Sequence, residues 1–249
     1  MNSPIRKYIK KIFNKFFWRQ HPEAALRYAP VVSEIKKAAL TNAKILEIGS
    51  GSLGIVPYLK REINALDIDF SGPQTSLIKK TKGYATSIPF RKNSFDVAIS
   101  VDVLEHLKPQ AREKAIYEML RVAKKMAILV TPEGEDSENQ DKNLHEKYIR
   151  VFKNPNQFLE EHIKYGLPKK EEILVSIDRS ARLLNKKAKT KSYPNLNLFI
   201  RNILMQTWIT KSKLLYYIYL KGYLLFVPIL KICNFGKTYR RVFVIEFDR

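Results

Sequence analysis

Residues 44–54 read KILEIGSGSLG. Lys44–Ile48 is a short apolar strand that runs into a turn holding Gly49, Gly51 and Gly54. Glycines in a turn between strand and helix let backbone come close to a ligand, because no Cβ stands in the way. Taken by itself such a turn serves equally as a tight structural turn or as part of a nucleotide-type site. A second strand over 62–68 adds to it, because it closes on ALDID, Ala65–Asp69. Asp67 stands 16 residues after Gly51. A carboxylate at the end of a second strand accepts ribose hydroxyls in dinucleotide-binding folds, at a usual distance of about 20 residues. Asp69 reads as a strand-end cap.

From here the chain alternates between strands and helix-length segments. A helix is expected from Leu53 to Lys60 and another from Gly72 to Lys80. Phe95–Val101 (FDVAISV) is a strand, Gln110–Ala123 a helix with Ile116, Met119, Leu120 and Ala123 on one face, and Met126–Thr131 a strand. Strands joined by helix-length crossovers imply parallel β-α-β units. Beyond Thr131 the order breaks. Glu133–Asn143 is polar and expected to be a loop, and His145–Tyr165 helical with a break at Asn154-Pro155. Glu171–Leu184 reads as a helix, Lys187–Ser192 as a strand, Leu196–Ile232 as mostly helical and aromatic, and Tyr239–Phe247 as an alternating final strand.

Read together, these stretches resemble the class I S-adenosylmethionine-dependent methyltransferases, in their small-molecule branch. The resemblance rests on Glu47-Ile48-Gly49-Ser50-Gly51, on Asp67, on GYATSIPF (Gly83–Phe90) and on NSFDV (Asn93–Val97). It continues through DVLEHL (Asp102–Leu107) and EMLRVAKKMAILVTP (Glu118–Pro132). It spans about residues 43–132, in order. It implies a Rossmann-like α/β/α sandwich of three layers, with a mostly parallel seven-stranded sheet, an antiparallel C-terminal strand and helical elaborations at both ends. The implied division is N-terminal helices over 1–40 and a methyltransferase domain over 41–249. Within that domain the cofactor core is 43–132, the acceptor-side insertions are 133–185 and 195–235, and the closing strand is 239–247. S-adenosyl-L-methionine is the implied donor, and no metal is expected. By resemblance Glu47 lies near the methionine end, with Gly49, Ser50 and Gly51 forming the loop. Asp67 binds the ribose, Ile68 packs on adenine, Ala85 and Thr86 border it, and Asp102 sits beside the donor. Asp96 is structural. Two departures stand out: Leu53 replaces a third loop glycine, with Gly54 one place later, and Tyr84 replaces a common aspartate that meets the adenine amino group.

Methyl transfer from a sulfonium is an in-line displacement, so the protein has to align the nucleophile and take its proton. His106, Glu105 and His145 are the candidate bases. His106 reads equally as a helix-start packing residue, and His162 as a structural one. After Pro132 the chain resembles methyltransferases of cell-surface glycan and lipid-linked sugar metabolism, through FLEEHIKYGLP (Phe158–Pro168), PNLNL (Pro194–Leu198) and the strand after Tyr239-Arg240. Oxygen is the preferred acceptor atom.

Charge and composition bear on the partner. Lys and Arg number 45 against 24 acids, a formal net charge of +21, which suits an anionic membrane surface or a nucleic acid. One cysteine, Cys233, excludes an internal disulfide and fits a reducing cytoplasm; it is expected to be buried. Residues 4–19 carry Ile5, Ile9, Ile12, Phe13, Phe16 and Phe17 at helical spacing among lysines and arginines, a basic amphipathic helix suited to an interface. No signal peptide is read there. Leu214–Leu230 is apolar but interrupted by Lys221, Gly222 and Pro228, and is read as aromatic and interfacial over 196–232 and not as a bilayer span. Both elements read equally as a cap packed on the core that hides the aromatics, so the expected place is the cytoplasm, either free or at the inner face of the membrane. An RNA methyltransferase also suits the charge, though no RNA-binding motif and no N-P-P-Y tetrad is present. A degenerate methyltransferase fold acting as a binding module is the third reading.

Overall fold

The computed structural model describes Tyr8, Phe17, Trp18 and residues 20–248. The basic helix expected over 4–19 otherwise lies outside the described residues. Helix α1 (Pro22–Lys37) has Pro22 in its first turn and the His21 ring accepting from Ala24 N. Strands β1 (Ile45–Ile48) and β2 (Ile63–Asp67) follow, separated by a helix α2 of only four residues (Val56–Leu59), shorter than its expected span. Lys60, at φ +54°, ends it.

The segment expected as a helix over 72–80 instead leads into strand β3 (Ile78–Lys82), paired in parallel with β2 from Ile63↔Ile78 to Asp67↔Lys82. It is an edge strand with only Ile78 buried, and its lysines face water. Lysine on an edge discourages further strand pairing, and it also hides the apolar alternation that marks a strand. Strand β4 (Phe95–Val101), a 3-10 turn (Leu104–His106), helix α3 (Pro109–Val122) and strand β5 (Ala123–Pro132) complete the orderly part.

The polar stretch expected as a loop over 133–143 opens helix α4 (Glu135–Phe152). Its first turn carries Glu135, Asp136 and Glu138, which suit the positive end of the helix dipole. Its buried positions are Ser137, Asp141 and Leu144, so the inward stripe has helical spacing but is mostly polar. Helices α5 (Gln157–Tyr165) and α6 (Lys170–Leu183) follow, broken between them and from α4 as expected. Strand β6 (Ala188–Asn197) leads to helix α7 (Leu198–Trp208). An uninterrupted helical run over 213–230 is made of α8 (Lys213–Tyr217), a π turn (Ile218–Gly222) and α9 (Tyr223–Leu230). Strand β7 (Thr238–Phe247) closes the sheet.

The seven strands lie in the order β3-β2-β1-β4-β5-β7-β6. All are parallel except β7, which runs antiparallel between β5 and β6. Alternation sorts the side chains to two faces. Leu46, Ile48, Leu66, Ala98, Leu129 and Phe243 meet α3 and α6 on one side. Ile45, Ala65, Val97, Ile99, Val130 and Val242 meet Tyr28, Val31 and Ile35 of α1 on the other. This is the three-layer sandwich. Burying Ile35 fully contributes about 1.5–3 kcal/mol over leaving it exposed. The strand order reverses between β1 and β4, and a crevice outside the carboxyl ends of the strands at that point is where open α/β sheets bind ligands.

Candidate functional site

The turn after β1 lies at that switch point. Gly51 takes φ +55°, and a Cβ built there meets nothing within 4 Å, so this stretch of backbone presents an open side. Its N–H donates to Asp67 Oδ2 at 2.6 Å, while Asp67 Oδ1 accepts from Asp69 N at 3.0 Å. Each carboxylate oxygen keeps a second lone pair for a further donor such as a hydroxyl. Gly49 N donates to Leu66 O, and its face toward Val103 leaves no room for a Cβ. Ser50 is buried, and its hydroxyl donates to the Gly51 carbonyl.

Glu47 points to the α1 side of the sheet and is wholly buried. It accepts from the Tyr28 hydroxyl at 2.7 Å and from Ile55 N at 2.8 Å. A Cβ at position 54 would overlap its carboxylate, so glycine there is what lets Glu47 clamp the far end of the loop. The displaced third glycine therefore has a local structural use. Burial pushes the Glu47 carboxyl up to about 7.

Ile68 and Tyr84 follow the neighbouring ends of β2 and β3, and both are exposed, at 66% and 68%. Gly83 N donates to Asp67 O, and Tyr84 bridges to Ser87, which holds this turn beside Asp67. Ala85 packs against the core and Thr86 is half-buried. Asp96 lies apart, accepting from Lys44 N and pairing with Lys125.

Asp102, at the end of β4, sits at φ +52° in the left-handed region, which is uncommon for a residue other than glycine. Its carboxylate accepts from Arg240 Nε (2.8 Å) and Nη2 (2.6 Å) and from Arg27 Nη1 (3.1 Å). Glu23 pairs with both Arg27 and Arg240. Two carboxylates and two guanidiniums thus offset each other, and the two guanidiniums hold the Glu23 carboxyl well below the usual range against its burial. Arg27 Nε and Arg240 Nη1 are buried without hydrogen-bond partners among the described residues.

The following turn carries the candidate bases. Glu105 is fully buried; its Oε2 accepts from the Thr131 hydroxyl at 3.1 Å, and burial with nearby Asp102 pushes its carboxyl well up. His106 is half-buried, with Nδ1 bonded to Glu161 Oε2 at 2.7 Å, and burial and neighbouring His162 lower its pKa. The His106 and His162 rings lie 4.9 Å apart. His145, on α4, stands outside the group that Glu105, His106 and His162 form, and its Nδ1 is buried without a partner among the described residues.

Sequence reasoning missed Glu23, Arg27, Tyr28, Asp141 and Arg240. For Arg240 a signal existed: it occupies an inward position of an otherwise apolar alternating strand, where a cation needs a carboxylate. The others lie on helices whose polar buried positions look like surface positions.

Residues 46–131 match the methyltransferase domain family. The chain carries a methyltransferase domain. That domain supports S-adenosylmethionine-dependent methyl transfer. No curated protein matches the sequence. Among solved structures the chain is similar to the methyltransferase domain of bacterial CtHen1-C, at 16% identity and a TM-score of 0.50, covering 90% of this chain and 98% of that one. It is also similar to a SAM-dependent methyltransferase from Thermotoga maritima, at 14% identity and a TM-score of 0.49, covering 98% and 96%. At 16% identity the likeness to the CtHen1-C domain speaks for the fold alone.

The residues present fit the donor. The open side of Gly51, the free lone pairs of Asp67, the exposed apolar pair Ile68 and Tyr84, and the orphaned Arg27 Nε all lie around the carboxyl ends of β1, β2 and β4 or on the helix packed over them.

Proposed function

We propose that this methyltransferase acts on an amphiphilic, lipid-linked acceptor, at an oxygen, while resting on the inner membrane surface. The observation that carries the reading is the helical run 213–230, of which only 11% is buried. By length and composition it is apolar enough to cross a membrane. At 1.5 Å per residue it is roughly 27 Å long, just short of a bilayer core of about 30 Å. Tyr219 packs inward with Leu26, Leu196 and Leu204, and Leu224 is buried. Leu214, Tyr217, Leu225, Phe226 and Ile229 face outward, and Ile232 and Phe235 extend that surface. Lys211, Lys213 and Lys231 are exposed at its two ends. An apolar face flanked by lysines and tyrosines suits the headgroup region, and an exposed patch of this kind marks an interaction surface. At its foot, a pocket of about 340 Å³ is lined by Tyr148, Phe152, Trp208, Lys211, Lys213 and Tyr216, among others. Aromatic walls with two lysines suit an apolar chain joined to an anionic group.

Gly51, Asp67, Ile68 and Tyr84 hold the donor in this reading, with Arg27 toward its carboxylate. S-adenosylmethionine, when bound, supplies an activated methyl group on a sulfonium. The chain has to align the acceptor oxygen and exclude competing water. Glu105 and His106, on the turn after β4, stand where the acceptor has to enter.

The test is co-sedimentation of the full chain with anionic and neutral liposomes at low and high salt. Binding that survives high salt supports the apolar face, and binding only at low salt points to electrostatics alone. No sedimentation with either liposome overturns the membrane reading, and the acceptor search then moves to soluble sugars and RNA.

A further inference from the structure

Glu105, His106 and His162 converge. One ligand-capable atom from each lies within 4.8 Å of the other two. Neither ring is free to turn. His106 Nδ1 is held by Glu161 Oε2 and His162 Nδ1 by Asp141 Oδ2, each at 2.7 Å. Asp141 has no exposure and is itself fixed by Arg201 Nη2 at 2.7 Å and by the Tyr239 hydroxyl at 2.8 Å. A histidine held at Nδ1 by a carboxylate presents Nε2 in a set direction, the arrangement by which proteins orient imidazole toward a bound cation. Two atoms of the cluster, Glu105 Oε1 and His162 Nε2, are buried with no hydrogen-bond partner among the described residues. Glu105 is fully buried and His162 is 8% exposed. Buried polar atoms are seldom left unpaired, and each such case asks for a reason. Hydrogen bonding between protein groups leaves these two unexplained, whereas a cation lying between them satisfies both.

We propose that Glu105, His106 and His162 bind one divalent first-row transition-metal cation. Two imidazole nitrogens and one carboxylate favour such an ion over magnesium or calcium, which prefer all-oxygen shells. Three protein ligands leave at least one coordination position open. The site departs from the expectation that this chain needs no metal. An acceptor hydroxyl in the open position would lose its proton to solvent more readily, because a bound cation lowers the pKa of a coordinated oxygen. That last role rests on the oxygen acceptor proposed above; cation binding does not.

The test strips the full chain with EDTA and titrates it with Co2+, read by visible absorption, and with Zn2+, read by calorimetry. One saturating equivalent is expected. Removing an outer partner of a metal ligand typically costs ~10–100-fold in affinity, so His106→Gln and His162→Gln are each expected to weaken binding at least about tenfold. S-adenosylhomocysteine affinity and circular dichroism are expected to stay unchanged in both variants. If His162→Gln fails to fold, the less buried His106→Gln and the wild-type cobalt spectrum decide. A folded wild type with no stoichiometric binding at millimolar cation overturns the proposal, and so does binding that neither variant alters. Because S-adenosylhomocysteine is measured separately, loss of this site and loss of the donor site read differently.

Discussion

At the residue scale, Glu47 gives the sharpest prediction. It is buried against Tyr28 and the loop end, and its carboxyl is pushed up to about 7 from an ordinary 4.5. Below about pH 4.5 the carboxyl is protonated whether the chain is folded or not. Between there and about pH 7 the unfolded chain releases the proton while the folded chain keeps it, so this group lowers stability as pH rises through that window. The full effect is at most about 3.5 kcal/mol, at about 1.4 kcal/mol per unit. Glu47→Gln keeps the shape and is expected to flatten this part of the curve. Urea melts of both proteins at several pH values from 4.5 to 7.5 check it, and parallel curves would refute the assignment. Asp102 shows a different residue-scale logic: its left-handed backbone is held by two guanidiniums, so the ion pairs and the turn depend on each other.

At the scale of elements, the outward face of the 213–230 helix makes its own prediction. Leu225 and Ile229 are exposed, so Leu225→Asp with Ile229→Asp is expected to change folding stability by no more than about 0.5 kcal/mol per site. The same pair is expected to abolish salt-resistant liposome binding, measured by co-sedimentation. Thermal melts of the pair exclude misfolding as the cause. How far such elements could be read from sequence follows from what they bury. β1, β4, β5 and β7 are apolar runs or clean alternations and are legible, as are α1, α3 and α6 from their one-sided apolar spacing. β3 (IKKTK) buries only Ile78, and α4 turns Ser137 and Asp141 inward, so neither shows the apolar pattern of its class. Cys233, expected to be buried, is half-buried, its thiol against the Ile229 carbonyl. Within the candidate site, the loop glycines and Asp67 are legible as a glycine turn of positive φ and a strand-end carboxylate, which the structure joins through Gly51 N. The pairing of Arg240 with Asp102 is not, because it joins positions far apart in the chain whose meeting only the closed sheet brings about.

At the scale of the whole molecule, the Glu23–Arg27–Asp102–Arg240 cluster ties α1, the end of β4 and the start of β7 together. Arg240 is 3% exposed and serves both carboxylates. Arg240→Met leaves buried Glu23 and half-buried Asp102 to share Arg27 and is expected to cost about 3–5 kcal/mol, the usual result of removing one side of a buried pair. Calorimetric unfolding checks this, and a loss under about 1 kcal/mol would mean that water reaches and solvates the cluster. The sheet order, the loop after β1 and this cluster together serve one claim, that the crevice at the β1–β4 switch point binds S-adenosylmethionine. Calorimetric titration of the full chain with S-adenosylhomocysteine tests that claim most directly. We predict saturable binding of one equivalent, weakened by about tenfold or more in Asp67→Ala, in keeping with about 1.5–3 kcal/mol for a hydrogen bond to a charged group. A folded protein that binds no S-adenosylhomocysteine at millimolar concentration would contradict the account and leave a methyltransferase fold that serves only as a binding module.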